Sequence, residues 1–377
     1  MSKTLQDYAT LINDTIQSNE INHYITTDNM CQNLGGIDTL KNINIPQGKV
    51  RSFQKDDVLL SNIRLYFRKV YRAKQKGGCS SDVLVFRAKH IDSATLFAIL
   101  SSQIFTDYAC SGSQGSKMPR GNKTHMMDFK IPTINFTIAK IFNSIQNKIE
   151  NNHKINELLH KILELLYEQY FVRFDFLDEN NKPYQTSGGK MKFSKELNRL
   201  IPSGWSVRFL NHKIVSTYQP KTISKTLLND SYSYSVYGGG GIIGRFTEYN
   251  HEQSEFIISC RGQCGISYLT LPKSWITGNA MVIRPTKSYT SKTYLYHTIK
   301  KYKLTNYITG SVQPQITRQN LSTMPILIPK RKTLNKWNNI SSLLWNLIHN
   351  NMQATQTLTA LRDFLLPLLL KQQVKPQ

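Results

Sequence analysis

The chain has 377 residues, of which 40% are hydrophobic and 19% are charged, a composition that excludes a non-globular chain and leaves room for two cores. Its 48 Lys and Arg residues outnumber its 24 Asp and Glu residues, which gives a formal net charge of +24. Uncompensated charge of one sign repels itself and usually persists where a polyanion neutralises it, so the composition predicts a nucleic-acid partner. A generic basic protein with a solvated surface is the alternative.

Targeting segments and metal sites are not predicted. Residues 1–7 lack an apolar secretory core, and the densest apolar run, Phe364 to Leu370, is short and contains Pro367. We therefore expect a soluble, cytoplasmic protein. The five cysteines are an odd number, which argues against a disulfide framework. Cys260 and Cys264 form the only close pair and have no His at zinc-finger spacing, so no metal site is expected.

The first third of the chain contains a basic segment from Arg64 to Lys76 that has no acidic residue and includes several aromatic residues. Apolar runs at 58–60 and 83–86 predict strands around it, and a polar loop follows at 114–123. Arg, Gln and Asn can contact base edges, whereas Lys and Ser mostly bind phosphates, so these segments predict a DNA-binding surface, with solvated loops as the alternative. The candidates are Arg64, Arg68, Lys69, Arg72, Lys117, Arg120 and Lys123.

A long helix is predicted next. Its apolar positions recur every seven residues, with further isoleucines three residues later, a spacing that indicates a seam for pairing with another helix. The seven-spaced set is Ile138, Ile145, Asn152, Leu159 and Leu166, and the offset set is Ile141, Ile155 and Ile162. A buried Asn152 would weaken the packing but fix the register.

The middle of the chain contains a loop at 184–192, and Gly204-Trp205 then opens a second module. Residues 239–244 match the glycine pattern of dinucleotide-binding sites, but no convincing helix follows, so we do not expect a nucleotide cofactor. A flexible glycine loop beside Tyr237 and Arg245 could instead bring the backbone close to a phosphate or a groove.

The last third of the chain, from Phe256 to Arg362, has no Asp or Glu at all. Strands are predicted at 256–258 and 281–283, and a Gly- and Pro-punctuated loop at 310–318 matches the earlier loop at 112–120. The candidates for DNA contact in this module are Tyr237, Arg245, Arg261, Gln263, Lys273, Lys287, Gln313, Gln315 and Arg318.

A second long helix repeats the seam. Its seven-spaced set is Ile340, Leu347, Ala354, Leu361 and Leu368, and its offset set is Leu344, Asn351, Leu358 and Leu365. Matching length, position and central Asn favour pairing of the two helices, with two independent helices as the alternative. The candidates for pairing and subunit docking are Ile145, Asn152, Leu159, Leu166, Leu347, Asn351, Leu358 and Leu361.

The two halves repeat one plan. Gly112-Ser113 followed by Ile131-Pro132 recurs as Gly310-Ser311 followed by Ile328-Pro329, about 198 residues later, a period that indicates two tandem domains rather than a solenoid. The prediction is an α+β fold in which two strand-rich domains are separated by two long helices.

Catalytic motifs are not found. The sequence has no phosphate-binding P-loop and no Asn-Pro-Pro-aromatic element of the kind that holds an amino group for methyl transfer. Asp56-Asp57 is the only candidate carboxylate pair, and adjacent carboxylates before a strand are more often a turn. We predict a binding protein with no catalytic residues.

Seven short segments occur in a familiar order along the chain: Tyr24 to Met30, Asp57 to Arg64, Gly77 to Asp82, Tyr237 to Gly244, Ser259 to Gly262, Gly310 to Pro314 and Leu361 to Pro367. In these segments and their order, the whole chain resembles the specificity subunit of type I restriction-modification systems. The resemblance implies two target-recognition domains, each reading one half of a split sequence in double-stranded DNA, and an antiparallel coiled coil that docks two methyltransferase subunits. S-adenosylmethionine, ATP and Mg²⁺ would belong to those partners and to the motor-nuclease subunits, and none to this chain.

On this basis the first recognition domain is expected at 1–134, the first spacer helix and linker at 135–180, the second domain at 181–330, and the second helix and tail at 331–377. One departure concerns the start of the first domain, which lacks the Trp found at Gly204-Trp205 in the second. Two other functions remain as alternatives: a self-contained DNA-modifying or DNA-cleaving enzyme, and a general nucleic-acid-binding protein that stacks bases on its tyrosines.

Overall fold

The computed structural model describes residues 3–38, 41, 43–131, 134–229, 232–262, 264–310 and 313–369. The chain divides into two compact units: unit 1 comprises Met1–Ile155 and Asn351–Gln377, and unit 2 comprises Asn156–Asn350. Both boundaries fall inside long helices, so each unit holds one strand-rich domain and a part of both helices. No helix in the described residues is long and apolar enough to cross a membrane.

Unit 1 contains eight strands among its described residues. They are β1 Ala9–Ile12, β2 Thr15–Gln17, β3 Tyr24–Ile25, β4 Lys49–Phe53, β5 Val58–Ser61, β6 Val70–Arg72, β7 Gly77–Cys79 and β8 Val83–Ala88. The helices are α1 Leu5–Tyr8, α2 Ser93–Leu100, α3 Gln103–Ser111 and α4 Lys123–Met127, with 3₁₀ turns at Ser18–Glu20 and Leu65–Phe67. The first long helix, α5, spans Phe136–Tyr167 and continues into a π-helical turn at Glu168–Val172.

Unit 2 follows a similar plan. Its described strands are β9 Met191–Ser194, β10 Arg199–Pro202, β11 Ser206–Phe209, β12 Val215–Tyr218, β13 Tyr234–Gly238, β14 Gly241–Phe246, β15 Phe256–Ser259, β16 Ser267–Leu269, β17 Trp275–Ile276, β18 Ala280–Pro285, β19 Ile308–Thr309, β20 Gln315–Ile316 and β21 Pro325–Ile328. Its helices are α6 Lys292–Lys300, α7 Arg318–Leu321 and the long α8 Arg331–Leu365, which is followed by a 3₁₀ turn at Leu366–Leu369. Further 3₁₀ turns lie at Lys225–Leu227 and Leu304–Tyr307.

The sheets confirm the internal repeat. The main sheet of unit 1 has the order β1-β8-β5-β6, and that of unit 2 has the order β12-β18-β15-β16, with all neighbours antiparallel in both. The predicted strands at 58–60 and 256–258 lie in β5 and β15, which occupy the same place in the two sheets. The second sheets, β2-β4-β7-β3 and β14-β13-β17, each contain one parallel pair.

The main sheets are covered on both faces. In β5, Val58 and Leu60 pack with residues of α2 and α3, whereas Leu59 packs with Val83 and Val85 in a second cluster. Successive side chains of a strand point to opposite faces, so burial of both faces explains why this strand is a continuous apolar run. Unit 2 also contains three two-stranded sheets, namely β9-β10, β11-β21 and β19-β20.

The long helices complete both cores. In unit 1, Ala139 and Phe142 of α5 and Leu366 and Leu369 after α8 lie in the main apolar cluster. In unit 2, the Phe171 ring lies 4.7 Å from Tyr294 and 5.5 Å from Trp337, measured between ring centroids. Removing either helix would therefore expose core residues of the adjoining domain.

The two long helices pair, as the sequence pattern predicts, and they run antiparallel, as the family resemblance implies. In unit 1, Gln146 accepts a hydrogen bond from Arg362 at 3.1 Å, and Asn152 Nδ2 donates to Thr355 Oγ1 at 3.2 Å. In unit 2, Asn156 Nδ2 donates to the Ile348 carbonyl at 3.3 Å, and the rings of His160 and Trp345 lie 5.0 Å apart. The partner positions in α8 fall as the positions in α5 rise, which defines the direction of pairing.

The predicted seam of α8 is wrong by one residue. Its seven-spaced members face solvent, namely Ile340, Leu347, Ala354, Leu361 and Leu368. The residues that follow each of them line the helix contact: Ser341, Ile348, Arg362 and Leu369 are buried, and Thr355 is half-buried. The physical reason is that several inward positions of α8 are polar residues with defined hydrogen-bond partners. A prediction based on the spacing of apolar residues therefore identifies the wrong face of the helix.

The seam of α5 is partly as predicted. Ile145 and Asn152 are buried, and Leu159 and Leu166 are half-buried, but the offset isoleucines Ile141, Ile155 and Ile162 are exposed. The offset positions inside the contact come one residue later, at Phe142, Ile149, Asn156 and Leu163. In α8, Asn351 and Leu358 are half-buried. Asn152 donates a hydrogen bond to Thr355, which lies four residues beyond Asn351.

Unit 2 also buries histidines next to its tryptophans. His297 is 3% exposed and stacks on Tyr167 with ring centroids 5.5 Å apart, and His349 is 8% exposed beside Trp345. Burial lowers the pKa of His297 to about 3 and that of His349 to about 4, with nearby lysines and His160 adding to the effect. Both imidazoles are therefore neutral in the folded chain at neutral pH.

We predict that unit 2 loses stability as the pH falls below 6.5. Above that pH both histidines are neutral in the folded and unfolded chains; below it only the unfolded chain takes up their protons, until the folded pKa values near 4 and 3 are reached. Each histidine should lower the free energy of unfolding by about 1.4 kcal/mol per pH unit in that window. Urea unfolding followed by tryptophan fluorescence reports unit 2, because Trp205, Trp275, Trp337 and Trp345 all lie there.

The matched variant is His297→Phe, which keeps a ring against Tyr167 but cannot take up a proton. Its unfolding free energy should depend less steeply on pH between 6.5 and 4 than that of the parent chain. An unchanged pH dependence would show that His297 does not carry this proton linkage.

Candidate nucleic-acid interface

Three loops of unit 1 meet where β5 ends at Ser61. The Asn62 amide donates to the Asp82 carbonyl at 2.7 Å, the Arg64 amide to Pro119 at 2.9 Å, and the Gly121 amide to Asn62 at 3.1 Å. Backbone hydrogen bonds thus join residues 61–64, 80–82 and 114–121. We call these residues, together with 122–123 directly after them, the loop edge of unit 1.

Exposed cations lie on this edge. Lys117 and Lys123 are exposed, and Arg120 forms an exposed ion pair with Asp82 at 2.9 Å. Arg64 is half-buried: its Nη2 donates to the Lys117 carbonyl at 3.4 Å, and its guanidinium lies 6.0 Å from the Phe67 ring centroid. Four predicted DNA-contact residues of the first module are therefore brought together.

The other three candidates of the first module have internal partners. Arg68 Nη2 donates to the Ser101 carbonyl at 2.9 Å, and Lys69 Nζ donates to the Thr27 carbonyl at 2.5 Å. Burial lowers the pKa of both side chains. Arg72 lies opposite Val58, the first residue of β5, so it is at the far end of the strand from the loop edge. Its Nε lies 3.9 Å from Asp56.

An equivalent set of loops meets in unit 2, where β15 ends at Ser259. The Cys260 amide donates to Asn279 at 3.0 Å, and the Ile316 amide donates to Cys260 at 3.0 Å. Arg261 forms a β-bridge with Gln315. A Cβ on Gly239 would lie 3.1 Å from the Arg261 carbonyl oxygen, so the glycine turn at 239–241 also belongs here. We call residues 239–241, 259–262, 264–265, 277–279 and 313–316 the loop edge of unit 2.

Three predicted contact residues lie exposed on this edge, namely Arg261, Gln313 and Gln315. Gln263 lies outside the described residues. Arg245 is half-buried on β14, and its guanidinium donates to the Ser233 carbonyl. The edge therefore offers an exposed arginine and two amide side chains for contact.

Tyr237 is wrong as a contact residue. It is 3% exposed and packs with Ile257 and Ile276 in a core cluster. Burial raises the pKa of Tyr237 to about 12, and its hydroxyl accepts a hydrogen bond from the Leu271 amide at 3.1 Å. The glycine turn next to it brings backbone, rather than this ring, to the surface.

The loop edge of unit 2, which contains Arg261, does not include Lys273, Lys287 or Arg318. Lys273 follows β16, whose last residue Leu269 pairs with Phe256 at the start of β15, so it lies at the end of the sheet opposite the loop edge. Lys287 follows the last residue of β18 at the same opposite end. Arg318 instead lines a separate cavity of about 480 Å³ with Asn211 and His212.

Two further polar residues lie at the loop edge of unit 2 without having been predicted. A Cβ on Gly278 would lie 2.7 Å from Thr222 Oγ1, which places the exposed Lys221 beside the edge. Asn279 is also exposed, and its backbone carbonyl accepts the hydrogen bond from the Cys260 amide. No motif marks either residue; only the adjacency of β12 and β18 in the sheet brings them to this position.

The Asp56-Asp57 pair is part of a turn, and the glycine pattern at 239–244 is part of a hairpin. Among the described residues, no group of three or more His, Cys, Asp or Glu side chains could hold a metal ion. Asp57 is 2% exposed, accepts from the Gln54 amide at 2.7 Å and pairs with Arg87 Nε and Nη2 at 2.8 Å, so the Asp56-Asp57 pair belongs to a turn, as the sequence suggests. Residues 239–244 form the turn and part of the second strand of a hairpin, in contrast to the strand-to-helix turn of a dinucleotide site.

Comparison with known proteins gives three findings. Residues 202–358 match the family model of the type I restriction modification DNA specificity domain. The type I restriction enzyme MjaIX specificity subunit of Methanocaldococcus jannaschii is 22% identical over 312 residues, covering 73% of this chain and 67% of that protein. The crystal structure of a type I restriction-modification system S subunit from M. genitalium superposes with a TM-score of 0.63 at 14% identity, covering 99% of this chain and 96% of that one, and shows the same fold.

Proposed function

We propose that this chain is a specificity subunit of a type I restriction-modification system, like the proteins it resembles, and that it reads a two-part sequence in double-stranded DNA. One part would be read by the domain at 1–134 and the other by the domain at 181–330. The proposal rests on the duplication of the loop edge. In each unit the loops of this edge meet at the end of the equivalent strand, β5 in unit 1 and β15 in unit 2. Two similar readers on one chain suit a target with two halves.

The charge distribution supports DNA as the ligand. The stretch from Phe256 to Arg362 includes most of the loop edge of unit 2 and has no acidic residue. In unit 1, Asp82 is the acidic partner of Arg120, and both side chains are partly exposed. A cationic surface of this kind attracts the phosphate backbone, whereas Arg and Gln side chains on fixed loops can contact base edges.

The residues that we propose for DNA contact differ from the set predicted from the sequence. In unit 1 they are Arg64, Lys117, Arg120 and Lys123, and in unit 2 they are Lys221, Arg261, Asn279, Gln313 and Gln315, with Gln263 as a candidate on sequence alone. Arg68 and Lys69 are not included, because their side chains donate to the carbonyl groups of Ser101 and Thr27. Arg72, Lys273 and Lys287 lie at the opposite ends of the sheets and are not included.

Partner docking is proposed for the long helices. Large apolar side chains on them face solvent in both units, and exposed apolar patches of this kind mark interaction sites. In unit 1 they are Ile141, Ile155, Leu361, Phe364 and Leu368, and in unit 2 they are Leu158, Ile162, Leu165, Ile340, Leu343 and Leu347. Burying one such side chain is worth about 1.5–3 kcal/mol, so a few of them suffice for binding.

One apolar set in each unit suits two copies of a methyltransferase subunit, and motor-nuclease subunits would join for cleavage. The chain itself would contribute recognition and no catalytic group. S-adenosylmethionine, ATP and Mg²⁺ would be held by the partner subunits.

Arg261→Ala tests base reading in unit 2. If Arg261 makes a bidentate contact to guanine, its removal should cost about 1–3 kcal/mol and relax one position in one half of the target. The measurement is the sequence preference of the full chain, assembled with its methyltransferase partner, on a randomised duplex library.

Lys287→Ala is the matched control, because it removes one exposed positive charge at the opposite end of the same sheet. It should leave the sequence preference unchanged. Loss of preference in both halves with Arg261→Ala, or in neither, would contradict reading by the loop edge of unit 2.

Leu343→Asp combined with Leu347→Asp tests docking on α8. These side chains are 61% and 44% exposed, so the charges should leave the fold intact but prevent burial against a partner. The double variant should keep its unfolding temperature and lose co-purification with the methyltransferase subunit. Ser342→Asp with Asn346→Asp, two exposed polar positions of the same helix, should retain it. Equal binding by both double variants would move the docking surface elsewhere.

A further inference from the structure

Arg362 is a buried charge that stability alone does not explain. It is 2% exposed, and its adjacent acidic partner, Asp363 at 2.9 Å, has a side chain that is 45% exposed. Taking a charged guanidinium out of water is costly. Replacing a buried ion pair by apolar residues of similar volume is often neutral or stabilising. A role beyond packing therefore has to be sought in what Arg362 contacts.

The contacts of Arg362 lead to a loop of unit 1. Its Nη2 donates to the Asn33 carbonyl at 3.2 Å, and its Nη1 donates to Gln146 Oε1 at 3.1 Å. Gln146, itself buried, donates from Nε2 to the Leu34 carbonyl at 2.8 Å. One side chain from each long helix thus holds one of two consecutive carbonyl groups.

The same two residues hold the turn that carries Arg64. The Asn33 amide donates to the Phe67 carbonyl at 2.9 Å, and the Leu34 amide donates to the Arg68 carbonyl at 3.1 Å. The turn Leu65–Phe67 is therefore tied, through the 33–34 peptide, to both helices. At its other end, Arg64 is bonded to Pro119 and Lys117 on the loop edge of unit 1.

The backbone along this path is strained. Asn33 and Leu34 have φ angles of 52° and 60°, and Arg64 and Arg68 have φ angles of 50° and 48°, all in the left-handed region. Non-glycine residues adopt this region at a cost and keep it only where surrounding contacts fix them. The hydrogen bonds from Arg362 and Gln146 are contacts of that kind.

We propose that Arg362 is a positioning residue that fixes Arg64 and its turn in the DNA-binding conformation of unit 1. The proposal rests on the proposed function, because it takes the loop edge as the DNA-binding surface. Unit 2 has a different arrangement: Asn152 and Asn351 give an offset of 199 residues between the two long helices, so the position equivalent to Arg362 is Leu163, a buried apolar residue. The effect of Arg362 is therefore confined to the half of the target that unit 1 reads.

The test compares Arg362→Met, Arg362→Lys and Asn152→Leu in the full chain. Methionine keeps the volume and removes every donor, whereas lysine keeps the charge and restores donors. Asn152 serves as the control, because it is a buried seam residue that donates a hydrogen bond to Thr355. Hydrogen exchange at the Asn33 and Leu34 amides reports the turn directly. Base preference on a randomised duplex library reports each half of the target.

Arg362→Met should speed exchange at both amides and weaken binding roughly tenfold, through one half of the target only, since hydrogen bonds to charged groups are the strong ones. Arg362→Lys should restore part of both effects, and Asn152→Leu should show neither. If Arg362→Met does not fold, Gln146→Met removes the neighbouring clamp and carries the same expectation.

Unchanged amide exchange and unchanged half-site preference in a folded Arg362→Met chain would reduce Arg362 to a packing role. Loss of preference in both halves would also overturn the proposal. If the parent chain itself shows no two-part preference, the proposed function fails, and the amide exchange still decides whether Arg362 positions the turn.

Discussion

Pairing of α5 with α8 is the interaction on which the rest of the structure depends. Neither strand-rich domain has a complete core without it, because Phe142 and Leu366 fill the core of unit 1 while Phe171 and Trp337 pack in unit 2. The seam between the helices combines apolar side chains with polar ones that have defined partners, such as Asn152 with Thr355. A polar residue in a seam weakens packing but restricts register and partner, which suits helices that contribute to two separate cores.

A polar seam has a consequence for the surface. Since Ser341, Thr355 and Arg362 occupy inward positions of α8, several leucines of this helix are left facing solvent. A helix that exposes side chains such as Leu343 and Phe364 has unused binding capacity, because each would be stabilised by about 1.5–3 kcal/mol on burial. Internal pairing and the proposed partner docking thus use different faces of the same helices. Mutations on the two faces should therefore have different effects. Substitutions of residues that face the other helix should disturb the fold, whereas substitutions of residues that face solvent should disturb assembly.

The sequence predicted what depends on local pattern. Apolar runs such as 58–60 and 256–258 are strands because both of their faces are buried, and the repeat follows from matching segments in matching order. The seam of α8 was missed by one residue because its inward positions are chosen by hydrogen-bond partners elsewhere in the chain. Tyr237 was misplaced for a similar reason: an aromatic residue beside glycines looks available, but the sheet register turns it into the core. Lys273 and Arg261 are close in sequence, yet antiparallel pairing puts them at opposite ends of one sheet.

We propose that each unit reads one half of a split DNA target. The most direct measurement is the methylated sequence, mapped across a genome, after residues 1–134 are exchanged for the equivalent domain of a known type I specificity subunit. We expect one half of the recognised sequence to change, and the other half, together with the spacing between the halves, to stay the same. A change in both halves, or in neither, would contradict it.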